Sequence, residues 1–158
     1  MLQDNEVYKR IKAVDIIPIL AVLPSLQFVG ICQGSTDPNH PPCSVVIPGT
    51  PLPIEITDMV KELELGGEIH RVFLRKLSPG QNIPPHIDSW VPEGWRRFHV
   101  PLISHPDIFM RWPNDGVEVY LEPGYLWEVK VSKLHEVTHN ANIDRVHIQI
   151  DQINATIL

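Results

Sequence analysis

The chain has 158 residues, of which 43% are hydrophobic and 20% charged, a balance that predicts one globular domain with a buried core. Its 13 basic and 19 acidic side chains give a net charge of −6, which argues against a nucleic-acid partner. The apolar run at 16–23 is too short to cross a bilayer, so it is predicted as a core segment and no membrane partner is expected.

Cysteine use and the first residues bear on the compartment. Cys32 and Cys43 form neither a CxxC pair nor a disulfide framework, and residues 1–12 lack a basic region followed by an apolar one. We therefore expect two reduced thiols in a cytoplasmic protein.

Residues 1–67 mix apolar stretches with proline-rich loops. Two short runs rich in apolar and β-branched residues, 28–32 and 44–47, flank a loop of Gly, Ser, Asp, Asn, His and Pro at 33–42. Both runs are predicted as strands.

A helix is predicted over 58–65. Thr57 suits its N-cap, Asp58 suits its first turn, and Gly66-Gly67 would stop it. The predicted buried stripe consists of Met59, Val60 and Leu63.

From residue 68 onward, short segments with alternating apolar and polar residues are separated by turn signals such as Asn114-Asp115-Gly116. The predicted strands lie near 69–77, 97–103, 108–112, 117–121, 125–131 and 145–151. This pattern predicts a mainly β fold, a double-stranded β-helix (a cupin-like jelly roll) with flanking N-terminal helices. Because a jelly roll needs about eight strands, residues 1–67 are expected to support the core formed by 68–158, all within a single domain spanning 1–158.

The most informative short motif is His86-Ile87-Asp88. On a strand, residues two apart point to the same face, so this imidazole and this carboxylate could share a metal. A second histidine from a distant strand would complete the 2-His-1-carboxylate triad of non-haem Fe(II) oxygenases. The motif alone is weak, because a chain with eight histidines shows such spacings by chance.

Two later segments carry polar rows at strand spacing. Arg97 and His99 share one face of their segment. In the last segment the shared face carries Arg145, His147, Gln149 and Asp151, opposite three β-branched residues. The rows either face water or line an interior pocket, and the pattern leaves both possibilities open.

Six motifs follow one another across roughly residues 69–151: Arg75-Lys76-Leu77-Ser78-Pro79-Gly80, Ile83-Pro84-Pro85-His86-Ile87-Asp88, Arg97-Phe98-His99-Val100-Pro101-Leu102, Pro123-Gly124-Tyr125-Leu126-Trp127-Glu128, His135-Glu136-Val137 and Asp144-Arg145-Val146-His147-Ile148. In these motifs and their order, the chain resembles the aspartyl/asparaginyl β-hydroxylase family of Fe(II)/2-oxoglutarate-dependent oxygenases. Residues 1–67 carry no part of this resemblance.

The resemblance implies a site and a reaction. The implied Fe(II) ligands are His86, Asp88 and His135. Arg145 would bind the distal carboxylate of 2-oxoglutarate, and Arg97 and His99 would lie near the other carboxylate and the substrate. The implied enzyme is a dioxygenase that uses O2, converts 2-oxoglutarate to succinate and CO2, and hydroxylates an amino acid or a residue of a peptide or protein.

Alternatives remain at the level of sequence. His139 is a rival to His135 as the distal ligand, and Arg71 and Arg75 could hold a substrate carboxylate at the pocket mouth or be solvated. A metal-binding cupin-like protein is the alternative function, either as a dioxygenase or isomerase without 2-oxoglutarate or as a non-catalytic binding module. The oligomeric state is not indicated by any pattern.

Overall fold

In a computed structural model, the described residues are 2–3, 6–29, 44–46, 51–88 and 94–153. Cys32, Cys43 and the loop at 33–42 lie outside them. The elements are β1 (Tyr8–Ala13), α1 (Ile17–Val22), β2 (Phe28–Val29), β3 (Ser44–Val46), α2 (Ile54–Glu62), β4 (Glu68–Leu77), β5 (Ile83–His86), β6 (Trp95–Ile103), β7 (Ile108–Trp112), β8 (Val117–Val119), β9 (Tyr125–Val129), β10 (His135–His139) and β11 (Arg145–Ile153). Neither α1 nor α2 has the length and apolar character needed to span a bilayer.

The strands form two antiparallel sheets, and the predicted mainly β jelly roll is confirmed. The large sheet has the order β1-β9-β6-β11-β4-β3-β2, and the small sheet has the order β5-β10-β7-β8. The described parts of the two β-prone runs, 28–29 and 44–46, form β2 and β3, which extend the large sheet beyond β4.

One face of the large sheet is apolar and packs against the helices. Phe98, Val100 and Ile148 on this face belong to the same buried cluster as Ile56 and Met59 of α2. Burying side chains of this size contributes roughly 1.5–3 kcal/mol each. The N-terminal helices therefore cover a surface that the strands alone would leave in water.

The opposite face of the large sheet carries the polar rows, and these rows are buried. Arg97 and His99 of β6 are each 7% exposed, while His147 and Asp151 of β11 are 1% and 0% exposed. The rows thus lie inside the molecule rather than in water. The register between β6 and β11 brings the two polar rows together, because His99 pairs with Gln149 and Arg97 pairs with Asp151.

Helix α2 begins one turn before the predicted helix. Its N-cap is Pro53, whose carbonyl oxygen accepts hydrogen bonds from the backbone N–H groups of Ile56 and Thr57. The Thr57 hydroxyl instead donates to the Ile54 carbonyl oxygen, so the predicted cap is wrong. A proline has no backbone N–H to satisfy, so a helix can start directly after it at little cost. The earlier start adds Ile56, fully buried, to the predicted stripe.

Several elements escaped the sequence analysis. The apolar run at 16–23 forms α1, in which Ile19 is buried but Ile17 is 74% exposed, so the predicted core segment holds for only part of the run. Strand β1 shows no clear alternation, because five of its six residues are exposed. It is held by pairing with β9, a contact that sequence periodicity cannot signal.

Gly67 shows a close approach that requires glycine. Its φ is +68°, and a Cβ at this position would lie 2.8 Å from the carbonyl oxygen of Ile153. The connection from α2 into β4 therefore passes directly against the end of β11.

Candidate metal centre

Strands β5 and β10 place two histidines opposite each other. His86, the last residue of β5, pairs with His135, the first residue of β10, and their ring centroids are 4.3 Å apart. Directly paired residues of antiparallel strands project their side chains to the same face. The pairing thus unites side chains that are far apart in the sequence.

Asp88 lies just beyond the end of β5, so the expected strand geometry holds for His86 but not for Asp88. The backbone N–H of Asp88 donates to the Val131 carbonyl oxygen over 3.1 Å, which holds the chain in place after the strand. Oδ1 of Asp88 lies 3.2 Å from Nε2 of His86. One ligand atom from each of His86, Asp88 and His135 lies within 4.8 Å of the others.

Both histidine rings are oriented by backbone carbonyl groups. Nδ1 of His86 lies 2.8 Å from the Pro84 oxygen, and Nδ1 of His135 lies 2.8 Å from the Lys133 oxygen. A carbonyl oxygen only accepts, so Nδ1 of each ring carries a proton. Nε2 of His135 then keeps its lone pair, whereas Nε2 of His86 shares a proton with Asp88 until a metal replaces it. This arrangement of an N–H to a carbonyl and a bare Nε2 is the usual one for histidine ligands of metals.

The protonation states also suit a cation. Burial alone would raise the pKa of Asp88, but its hydrogen bond with His86 and the charge of Arg97 lower that pKa to about 2. Burial lowers the pKa of His135 to about 4. Burial also acts to lower the pKa of His86, yet the hydrogen bonds with Asp88 and Pro84 raise it. At neutral pH the set therefore includes a carboxylate and a neutral His135, as a divalent metal requires.

Arg97 connects two buried carboxylates. Its Nε and one terminal nitrogen donate to Asp151 over 2.7 and 3.0 Å, and its other terminal nitrogen contacts Asp88. Asp151 also accepts from Arg71 over 2.7 Å. The guanidinium thus holds Asp88 in position, and its predicted place near a cosubstrate carboxylate stays a prediction. The role of Asp151 cannot be read from the sequence pattern, because only the cross-strand register pairs it with Arg97.

Arg145 is a buried cation of a different kind. It is 6% exposed, and burial together with the charge of Arg75 lowers its pKa to about 9, so it is still protonated at neutral pH. Among the described residues, no carboxylate forms an ion pair with it. A buried guanidinium of this kind is suited to an anionic ligand.

The remaining histidines separate into interior and surface groups. His99 and His147 face each other, with their Nδ1 atoms 3.2 Å apart. His139 is 2% exposed on β10 and lies outside the cluster of His86, Asp88 and His135, and the assignment of His135 as the distal ligand stays a prediction. His70 packs against Trp95, and His105 is exposed beside Asp107. His40 lies outside the described residues.

Two aromatic side chains contact the arginines of β4. The guanidinium groups of Arg71 and Arg75 each lie 5.0 Å from the ring centre of Phe73, and that of Arg71 lies 5.3 Å from the ring centre of Trp95. Arg71 reaches the fully buried Asp151, and burial lowers the pKa of Arg75, so neither side chain is simply solvated. The place of Phe73 and Trp95 beside these arginines could not be predicted, because isolated aromatic residues in a strand usually belong to a core.

A family model described as aspartyl/asparaginyl beta-hydroxylase matches residues 51–155. The chain belongs to this family. Membership confirms the resemblance drawn from the six motifs. The match starts at residue 51 and therefore includes α2, so the expectation that residues 1–67 carry none of the resemblance is wrong in this part. No match is found among curated proteins.

Solved structures similar to this hydroxylase-family chain share its fold. The viral collagen prolyl hydroxylase vCPH from Paramecium Bursaria Chlorella virus-1, in a 2OG complex, is 12% identical with a TM-score of 0.63, covering 97% of this chain and 99% of the other. A Pseudomonas putida prolyl-4-hydroxylase is 17% identical with a TM-score of 0.59, covering 93% and 92%. The polyketide cyclase RemF from Streptomyces resistomycificus is 10% identical with a TM-score of 0.51, covering 95% and 87%.

Proposed function

We propose that this protein is an Fe(II)- and 2-oxoglutarate-dependent oxygenase that hydroxylates an amino acid or an amino-acid residue of a peptide or protein. The observation that carries the proposal is the convergence of His86, Asp88 and His135 on the inner side of a jelly roll that also buries Arg145 without an ion-pair partner among the described residues.

The proposed ligands are His86, Asp88 and His135. Two imidazoles and one carboxylate match the donor set of non-haem Fe(II) oxygenases and leave coordination positions open, and metal binding would displace the proton that His86 shares with Asp88. Iron held there would supply the redox chemistry that couples 2-oxoglutarate, O2 and a C–H bond to succinate, CO2 and an alcohol. The chain's own contribution is orientation: Pro84 and Lys133 carbonyl groups aim the rings, and Arg97 holds the carboxylate.

The charge of the interior supports a dianionic cosubstrate. The inner face carries the guanidinium groups of Arg75, Arg97 and Arg145 against the carboxylates of Asp88 and Asp151. A divalent metal would add two further positive charges. Burying such an excess of one sign is costly unless an anion accompanies it, and 2-oxoglutarate carries two negative charges. Arg145, which has no carboxylate of the protein to pair with among the described residues, is assigned to the distal carboxylate.

The test of the function is substrate-stimulated succinate formation. The full chain would be incubated with Fe(II), 2-oxoglutarate, O2 and a panel of free amino acids and peptides. We expect at least one panel member to raise succinate release and to gain one oxygen atom by mass spectrometry. His135→Ala should abolish both signals, whereas His105→Ala at the surface should not. Metal binding without succinate release under any condition would instead favour the non-catalytic alternative.

Arg145→Ala tests the cosubstrate assignment. Loss of a charge-assisted carboxylate contact costs on the order of 1.5–3 kcal/mol, so the apparent KM for 2-oxoglutarate should rise about 10- to 100-fold. Metal affinity, measured by anaerobic titration, should stay close to that of the wild type. Arg111→Ala is the matched control, because Arg111 is an arginine at the surface of β7. An unchanged KM in Arg145→Ala would refute the assignment.

A further inference from the structure

His99 and His147 form a contact that the proposed function does not use. They lie on the neighbouring strands β6 and β11, with centroids 5.5 Å apart and ring planes at 83°. Their Nδ1 atoms are 3.2 Å apart, which is hydrogen-bonding distance. His147 is 1% exposed and His99 is 7% exposed.

Both rings are neutral at ordinary pH. Burial, reinforced by the charge of Arg145, holds the pKa of each well below 6.5. A neutral imidazole has one N–H and one lone pair. A hydrogen bond between two Nδ1 atoms therefore contains one proton, and the protein must choose which ring donates. The choice also decides whether Nε2 of His99 is a donor or an acceptor.

The surroundings of His147 decide which of the two rings donates the hydrogen bond. Its Nε2 is fully enclosed, and within the part of the chain that the structure describes no hydrogen-bond partner reaches it. Arg145 lies two residues along the same strand, and Arg75 is paired directly opposite in β4. The positive charge of Arg145, which acts on this ring, favours a bare lone pair at Nε2 over an N–H without an acceptor. The proton of His147 then resides on Nδ1 and is donated to Nδ1 of His99.

His99 consequently carries its proton on Nε2. This atom is not enclosed in the way that Nε2 of His147 is, and no described residue accepts a hydrogen bond from it. Its surroundings include His135 and three arginines. An N–H at this position lies within reach of the positive charges that lower the pKa of His99, and these charges favour an anion as its acceptor.

We propose that His147 is a positioning residue that holds His99 as the Nε2–H tautomer, so that His99 presents a fixed N–H donor to a carboxylate of the 2-oxo acid. The carboxylate part rests on the proposed function, whereas the tautomer does not. His147 itself touches no substrate. Its Nε2 stays unprotonated, and its Nδ1–H is donated to Nδ1 of His99.

The first experiment observes the protons directly. Nitrogen NMR of the metal-free full chain, labelled at its histidine rings and recorded at neutral pH, distinguishes protonated from bare ring nitrogens. We expect His99 to be protonated at Nε2 alone and His147 at Nδ1 alone. The reverse pattern, or a doubly protonated ring at either position, would overturn the proposal. This measurement needs no variant and no turnover.

Variants then test the positioning role. His147→Leu removes the donor, and we expect His99 to show a mixture of tautomers and the apparent KM for 2-oxoglutarate to rise about two- to tenfold, the range of one neutral hydrogen bond. His147→Asn keeps an amide donor near the former Nδ1 and should restore most of both signals. His139→Leu, which removes another buried histidine that does not touch His99, should leave the His99 tautomer unchanged. An unchanged His99 spectrum in His147→Leu would contradict the role.

A titration separates this proposal from the proposed function. Addition of 2-oxoglutarate to the Zn(II)-substituted protein should shift the His99 Nε2–H resonance. If the expected tautomers are observed but this resonance does not move, the carboxylate assignment for His99 is wrong and the tautomer assignment stands. If the resonance moves but no succinate is formed with Fe(II) and any substrate, the proposed oxygenase function fails while the positioning role stands.

Discussion

The two faces of the large sheet are built from the same strands and are buried to nearly the same degree, yet their chemistry is opposite. On the helix side, Phe98 and Ile148 are 1% and 0% exposed, and on the inner side, His99 and Asp151 are 7% and 0% exposed. The apolar face needs only close packing. The polar face needs a partner for every charge, because an unpaired buried charge costs several kcal/mol.

Within a single strand, residues on the apolar face therefore serve stability, and residues on the polar face serve the chemistry of the site. The apolar face depends on α1 and α2 for its cover, while the polar face depends on the small sheet and on its own ion pairs. Variants on the helix side should therefore change the free energy of unfolding and leave the site intact. Variants on the inner side should act mainly on binding and turnover, except where a residue completes an ion pair.

Removal of residues 1–67 is the most severe test of whether the apolar face of the large sheet needs the N-terminal helices to cover it. This deletion takes away Ile19, Ile56, Met59 and Leu63, all in the cluster on the helix side, together with β1, β2 and β3. We expect residues 68–158 alone to give no cooperative unfolding transition by circular dichroism. A fragment that unfolds cooperatively and binds metal would show that the N-terminal part is an appendage.

Asp151→Asn tests whether a residue of the polar face that completes ion pairs also contributes to stability. Asp151 is the fully buried carboxylate shared by Arg71 and Arg97. Its neutralisation leaves buried guanidinium charge uncompensated, so we expect the free energy of unfolding to fall by about 3–5 kcal/mol. Urea denaturation measures this loss. Asp107→Asn at the surface is the matched control, and an equally small effect of both variants would contradict the ion-pair account.

Ile148→Ala tests whether a change on the apolar face alters stability without altering the site on the polar face. Ile148 is fully buried among apolar neighbours, so truncation should lower the free energy of unfolding by about 2–5 kcal/mol. The apparent KM for 2-oxoglutarate and the metal affinity of the folded protein should remain close to wild type at low temperature. A large change in either would show that the two faces are coupled through the strand.

A pH dependence of stability has the smallest effect per residue and arises from the buried histidines of the interior. Because the folded pKa values of His99 and His147 lie well below 6.5, only the unfolded chain takes up these protons as the pH falls below 6.5. Stability is therefore full above pH 6.5 and falls below it, by about 1 kcal/mol for each of the two histidines by about pH 5.5. The lowered pKa values of His135 and His139 add to this loss, whereas the raised pKa of His86 acts in the opposite direction and offsets part of it.

Denaturation of the metal-free protein across this pH range measures the slope. His147→Asn should make the slope shallower, and His105→Asn, at an exposed position, should leave it unchanged. A slope equal in wild type and His147→Asn would show that His147 takes up its proton in the folded state as well.

Much of the fold could be predicted from local pattern. Six predicted strands correspond to β4, β6, β7, β8, β9 and β11, and the two N-terminal runs correspond to β2 and β3, because alternation and turn residues act over a few positions. The start of α2, the strand β1 and the short strands β5 and β10 were not predicted. Their formation depends on a proline boundary or on pairing with distant strands, which leave little local periodicity.

What the sequence determined by itself was which side chains share a face and which motifs follow one another. That was enough to select His86, Asp88, His135 and Arg145 as candidates. Only the tertiary structure decided that the polar face points inward and that Arg97 binds Asp151 and Asp88. Alternation defines two faces of a strand but carries no information on which face is covered, because the cover comes from elements far away in the chain.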